Sequence, residues 1–109
     1  MSHYRKIDVR IWTDGRFLDL SMAGKLGFFL LLTHPNMTAL GAMRGTPTGL
    51  VAELEGVQEG KADAYREGFE DIINRGMADY DPKGRLIALP NFLKYNPPTS
   101  INVVKAWVG

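Results

Sequence analysis

Residues 46–89 read TPTGLVAELEGVQEGKADAYREGFEDIINRGMADYDPKGRLIAL, a stretch punctuated by helix starts, glycine stops and a turn. Thr46 followed by Pro47 is a helix start: the hydroxyl accepts an orphan first-turn N–H, and proline at the first helical position loses nothing by lacking its own. Leu50, Val51 and Leu54 supply the apolar face of a helix over about 47–55, and Gly56 stands where a left-handed residue would end it. After a short turn, Ala62, Tyr65, Phe69, Ile72 and Ile73 recur at helical spacing, which predicts a second helix over about 60–75, stopped at Gly76. Residues 77–81 and 85–89 are strand candidates around Asp81-Pro82-Lys83-Gly84, whose proline and glycine are turn residues for separate backbone reasons. The stretch is therefore helix, turn, helix, hairpin.

Outward from it, residues 4–11 alternate, with Ile7, Val9 and Ile11 on one side and Lys6, Asp8 and Arg10 on the other, the period-two pattern of a half-buried strand. Asp14-Gly15 turns the chain. Ser21 caps a helix through about Thr33, and His34-Pro35 ends it because a residue before proline avoids the helical region. Met22, Leu26 and residues 28–32 make that helix apolar over most of its surface, which places it at the centre of the core. Its Gly24 and Gly27 each weaken it by about 1 kcal/mol relative to alanine unless a neighbouring backbone packs closely there. Residues 38–44 read as a short strand. Beyond Pro90, residues 91–95 suit a helical turn, Asn96-Pro97-Pro98 an extended linker, and Ser100 the cap of a final helix over 101–108. The expected organisation is one domain over 1–95, with 96–109 as a proline-rich linker and the start of a C-terminal helix or docking tail.

The chain has 109 residues, 45% of them hydrophobic and 23% charged, the composition of one globular domain. With no cysteine it has no disulfide framework, thiolate nucleophile or cysteine-ligated zinc. The longest apolar run, residues 28–32, is far below the roughly 20 residues that span a bilayer, and the N-terminus carries no secretory pattern. Cytoplasmic residence without membrane association is expected. The net charge of +1 hides an asymmetry: residues 53–81 hold nine acids against three bases, while residues 82–109 hold four bases and no acid.

The order strand, helix, strand, helix, short turn, helix, hairpin is the winged-helix arrangement, so the expected fold class is α+β, a winged helix-turn-helix with an extra N-terminal strand and a short C-terminal helical extension. Tyr4-Arg5-Lys6-Ile7-Asp8-Val9-Arg10-Ile11-Trp12, Gly24-Lys25-Leu26 with Leu31-Leu32-Thr33-His34-Pro35, and Pro90-Asn91-Phe92-Leu93-Lys94-Tyr95-Asn96-Pro97-Pro98 together resemble the N-terminal domain of phage and prophage replication proteins of the replisome-organiser type. The resemblance covers nearly the whole chain. It implies a non-enzymatic module that binds DNA or assembles a replication nucleoprotein complex, with DNA, another replication protein or a second copy of itself as partner. No cofactor is implied.

The residues give the candidates individually. The outer face of the 60–75 helix presents Asp63, Glu67, Glu70, Asp71 and Asn74, flanked by Lys61 and Arg66. Four carboxylates suit a phosphate-rich surface poorly, so base reading from its N-terminal tip, a protein contact and plain solvation all stay open. Lys83 and Arg85, in or beside the hairpin turn, are better placed for DNA, and Arg5, Lys6, Arg10, Lys94 and Lys105 would extend one basic surface if the termini lie near the hairpin; ordinary solubility charge is the alternative. Tyr4, Trp12, Tyr95 and Trp107 suit either stacking on bases or packing in the core. Trp107, with Ile101, Val103, Val104 and Val108, is expected to dock on its own domain, dock on a second copy, or lead into a further region. His34 has no metal-ligand spacing to a second histidine, and its expected role is capping the last carbonyls of its helix. Two further readings stay open: an interaction module without intrinsic DNA affinity, and a transcriptional regulator.

Overall fold

The computed structural model describes residues 5–92. At its centre lies a helix over Met22–Thr33, entered through Ser21, whose hydroxyl accepts the Gly24 N–H at 3.0 Å, and left at His34 in extended backbone. Phe28, Leu31 and Leu32 of this helix are almost fully buried. Both of its glycines lie where a neighbour approaches. The helix over Ala62–Asn74 crosses it so closely that a Cβ on Gly68 would stand 2.8 Å from the Gly24 nitrogen and 2.9 Å from its Cα. A Cβ on Gly27 would meet the Phe69 ring at 3.1 Å. At Gly27 the helix propensity lost is offset by close packing that a larger residue would disturb; a Cβ on Gly24 would meet the Leu20 Cβ at 3.3 Å and the Gly68 Cα only at an ordinary 3.6 Å.

In chain order the helices are α1 (Gly15–Leu18), α2 (Met22–Thr33), α3 (Pro47–Glu55) and α4 (Ala62–Asn74). α4 packs on α2 and on α3, and β1 (Ala42–Arg44), β2 (Asp79–Asp81) and β3 (Leu86–Ala88) form an antiparallel sheet in the order β1-β3-β2. Met43, Ile87 and Tyr80 stand in one cross-strand row facing the core, while Arg44, Leu86 and Asp81 form a row on the outer face, as two-residue alternation requires. The molecule is α+β. Among the described residues no helix is long and apolar enough to cross a membrane.

The expected helices at 21–33, 47–55 and 60–75 are present, as is the hairpin, with Thr46 accepting the Gly49 N–H at 3.0 Å and Gly76 at φ 72°. The N-terminal strand is not. Residues 5–8 have no regular structure, and Val9–Thr13 is a 3-10 helix. The reason is local: Asp8 caps that turn by accepting the Arg10 N–H at 2.9 Å and binds the Arg10 guanidinium as well, so the short acidic side chain offers the backbone a partner that competes with a strand. Ile11 turns inward, Ile7 is half-buried, and Val9 stays 79% exposed. Asp14-Gly15 is likewise more than a turn, because the Asp14 carboxylate accepts the Arg16 and Phe17 N–H groups and nucleates α1.

Gly56 is right-handed, at φ −66°; the left-handed residue of this connection is Gly60, at φ 82°. The chain continues past Gly56 in helical turns, with Val57 and Gln58 N–H both donating to the Leu54 carbonyl, and reverses later. Lys61 gives α4 no side-chain cap; the Glu55 carboxylate of α3 receives the Gly60 and Lys61 N–H groups and so holds the turn that leads into α4. β1 begins only at Ala42, because residues 38–41 close a turn whose Gly41, at φ 83°, presses on the Phe92 ring. The expected linker at 96–98 and helix at 101–108 lie outside the described residues.

Candidate functional site

The loop 82–85 joins β2 to β3 between the paired Asp81 and Leu86. Its geometry is held from within. The Asp81 carboxylate accepts the Lys83 N–H at 3.1 Å, and the Arg85 carbonyl accepts the Gly45 N–H at 2.8 Å, tying the loop to the end of β1. Arg85 sits at φ 50°, the sole non-glycine residue with positive φ among those described. That conformation costs an arginine on the order of 1 kcal/mol relative to glycine, since its Cβ crowds the following carbonyl. The side chains of Lys83 and Arg85 are exposed and make no hydrogen bond or ion pair with another described residue.

Antiparallel pairing brings a third cation here. Arg44 lies opposite Leu86, next to the Gly45 that binds Arg85, and its side chain is equally exposed and unpaired among the described residues. Arg44 was not among the candidates of the sequence, because forty-one positions separate it from Arg85 and only the β1–β3 register joins them. The resulting end of the sheet carries Arg44, Lys83 and Arg85, with Asp79 and Asp81 on the neighbouring edge strand.

The basic N-terminus does not join that cluster. Arg5 reaches the carbonyls of His34 and Met37 and lies 5.8 Å from the Phe92 ring, at the end of the sheet where β3 leaves it. It is engaged in holding the N-terminal segment onto the turn after α2. Arg10 is bound by Asp8 through the Nε–Nη2 edge of its guanidinium, at 2.6–3.1 Å, and the hydrogen bond and charge of Asp8 raise its pKa further. Lys6 is exposed on the same segment; Lys94 lies outside the described residues.

The outer face of α4 is acidic as expected, and two of its acids are matched on the helix itself. Arg66 pairs with Asp63 at 2.7 Å and Arg75 with Asp71 at 2.8 Å, the latter also 3.6 Å from Asp19. Glu67 and Glu70 are exposed without such a partner among the described residues, and Lys61 is exposed at the helix entrance. Both helix arginines are thus spent on neighbouring carboxylates, and the face remains negative. Exposed pairs of this kind contribute roughly 0.3–0.5 kcal/mol each. Trp107 lies outside the described residues.

His34 caps no carbonyl with its ring. It is buried, with Nε2 3.1 and 2.9 Å from the two Glu53 oxygens, while Nδ1 accepts the Asn36 N–H at 3.1 Å. The Asn36 contact puts the ring hydrogen on Nε2, facing the carboxylate. A shallow groove of about 160 Å³ runs past it, lined also by Arg44, Thr46 and Gly49. With both ring nitrogens occupied, His34 has no lone pair free to take a proton from Thr46, whose hydroxyl already caps Gly49. The pair fastens the end of α2 to α3. Sequence reasoning missed Glu53 because it sits on the exposed side of its helix. Among the described residues no three His, Asp or Glu gather into a group that could hold a metal ion.

Trp12 packs against Phe17 at 5.8 Å in an edge-on arrangement and against Phe29 at 6.1 Å, so one side of its indole belongs to the core while the other is open. No protein-family model, curated protein or solved structure matches the chain.

Proposed function

We propose that the chain is a non-enzymatic winged-helix module of phage or prophage DNA replication, working in the host cytoplasm. In this reading α3 and α4 are the helix-turn-helix and β2–β3 is the wing. The wing contacts the DNA backbone, and the outer face of α4 contacts protein. One observation carries the reading: a hairpin directly after the α3–α4 pair holds two exposed cations without partners among the described residues, beside Arg44 from the adjoining strand. Phosphate neutralisation by lysine and arginine supplies most sequence-independent DNA affinity, and it needs cations that are not already paired. The replication context rests on the resemblance carried by the stretches at 4–12, 24–35 and 90–98.

The charge of α4 favours a second reading, an interaction module with no intrinsic affinity for DNA. Glu67 and Glu70 would repel a phosphate surface in a helix whose own arginines are matched to Asp63 and Asp71. Fluorescence anisotropy with labelled double- and single-stranded oligonucleotides, titrated at low and near-physiological salt, separates the two. Saturable binding that weakens steeply with salt is expected. Absence of binding at low salt, where screening is weakest, would leave the interaction module.

A further inference from the structure

α2 is apolar on the side away from the core as well. Met22, Leu26 and Phe29 succeed one another at four- and three-residue steps on its outer face, with Thr33 next in line and no charge among them. Met22 is 81% exposed, Leu26 is also exposed, and Phe29 is half-buried. Trp12, 60% exposed, lies against Phe29, and Val9 precedes it by three positions in the 3-10 helix, where residues three apart eclipse one another. Val9, Trp12, Phe29, Leu26 and Met22 therefore form one apolar stripe. A helix that is apolar all round is ordinarily buried.

We propose that residues 101–108 of this same chain cover the stripe. The described chain leaves the domain at Phe92, which is buried and sits beside Arg5, the start of the segment that leads to Val9 and Trp12. Residues 93–100 then supply up to about 27 Å of extended chain, close to the roughly 30 Å diameter of an 88-residue domain. Beyond them lies the chain's remaining apolar sequence: Ile101, Val104, Trp107 and Val108 recur at helical spacing, with Lys105 as the only charge in 101–108. An uncharged stripe and a nearly uncharged segment match in chemistry and in size. Five side chains in a line offer less than the about 800 Å² per partner that a standard interface between two proteins buries. A tethered segment also meets its site at an effective concentration in the millimolar range, which a second copy does not reach. This inference does not depend on whether the hairpin binds DNA.

Trp12→Phe in the full chain leaves Trp107 as the only tryptophan and makes its emission the readout. The expected result is a blue-shifted Trp107 emission that moves to the red, with a gain in acrylamide quenching, when Met22→Lys or Leu26→Lys is added. Met22 is so exposed that its substitution leaves folding intact, and an unchanged far-UV circular dichroism spectrum verifies that. Water-like emission before either lysine is added would overturn the proposal, and so would blue-shifted emission that neither lysine moves. Sedimentation at several concentrations settles the occupant: a monomer throughout supports the tail, whereas a dimer that Met22→Lys dissociates as the emission reddens assigns the stripe to a second copy and overturns it.

Discussion

α4 and the β2–β3 hairpin both present charge, and they handle it in opposite ways. On α4, Arg66 and Arg75 are matched to acids three and four positions away, and the inner side of the same helix is pinned to α2 at the Gly24–Gly68 crossing. On the hairpin, Lys83 and Arg85 have no partner among the described residues, and the loop buries little, since residues 81–86 are all exposed. A regular helix brings i, i+3 and i+4 side chains together and so satisfies its charges internally. A tight loop cannot, because it has no such neighbours. The hairpin cations are therefore open to a phosphate backbone, as are the exposed Lys6 and Lys61 elsewhere on the molecule, although α4 has the length and position usually associated with reading a groove.

The contrast can be broken from either side. The largest effect is expected at the buried side of α4: Gly68→Ala should lower stability by about 3 kcal/mol, because the new Cβ meets backbone atoms of α2 at 2.8–2.9 Å and the two helices must separate. A thermal melt with a Tm lower by about 10 °C or more is the check, and an unchanged Tm would mean that the crossing has slack. Next, Lys83→Ala with Arg85→Ala should weaken DNA binding by about tenfold at low salt, alike for unrelated sequences, and make the log–log salt slope shallower by about 2. Unchanged anisotropy curves would remove the hairpin from the interface.

Arg85→Gly separates the two costs at that position. Relief of the positive φ should raise stability by about 0.5–1 kcal/mol while DNA affinity falls. Chemical denaturation and anisotropy on the same sample measure both, and stability that falls with the substitution would show that the arginine side chain supports the loop. The smallest change is expected from Glu67→Gln with Glu70→Gln: in a hairpin-led interface, DNA affinity moves by less than about threefold, since the pair would lie beyond a Debye length of about 10 Å from the phosphates. A tenfold gain would place α4 against the DNA.

How much of the fold and the site is legible in the sequence depends on the range of the interactions involved. The starts of α2 and α3 arise from Ser21, Thr46 and Pro47, each acting within its own turn. The 3-10 helix at Val9–Thr13 is also local, yet the alternation of Ile7, Val9 and Ile11 conceals it, because Asp8 at the N-cap outweighs a period-two pattern only if that pattern finds no sheet to join. The edge strands β1 and β2 flank β3 without it. Among the site residues, Lys83 and Arg85 are visible from their turn. Arg44 is invisible, and Arg5 resembles a surface charge in the sequence although carbonyls of the turn after α2 hold it.

The three long helices, the hairpin and the acidity of α4 can be read in the amino-acid sequence, because caps, the glycine after α4 and helical periodicity are written within a few residues of where they act. Tertiary packing alone explains why Gly27 and Gly68 are glycines, which cations gather at the hairpin, and that α2 keeps an apolar stripe on its outer side. Each of these depends on which distant segment arrives as a neighbour, and the packing of α2 on α4 and of β1 on β3 is what brings that neighbour into contact.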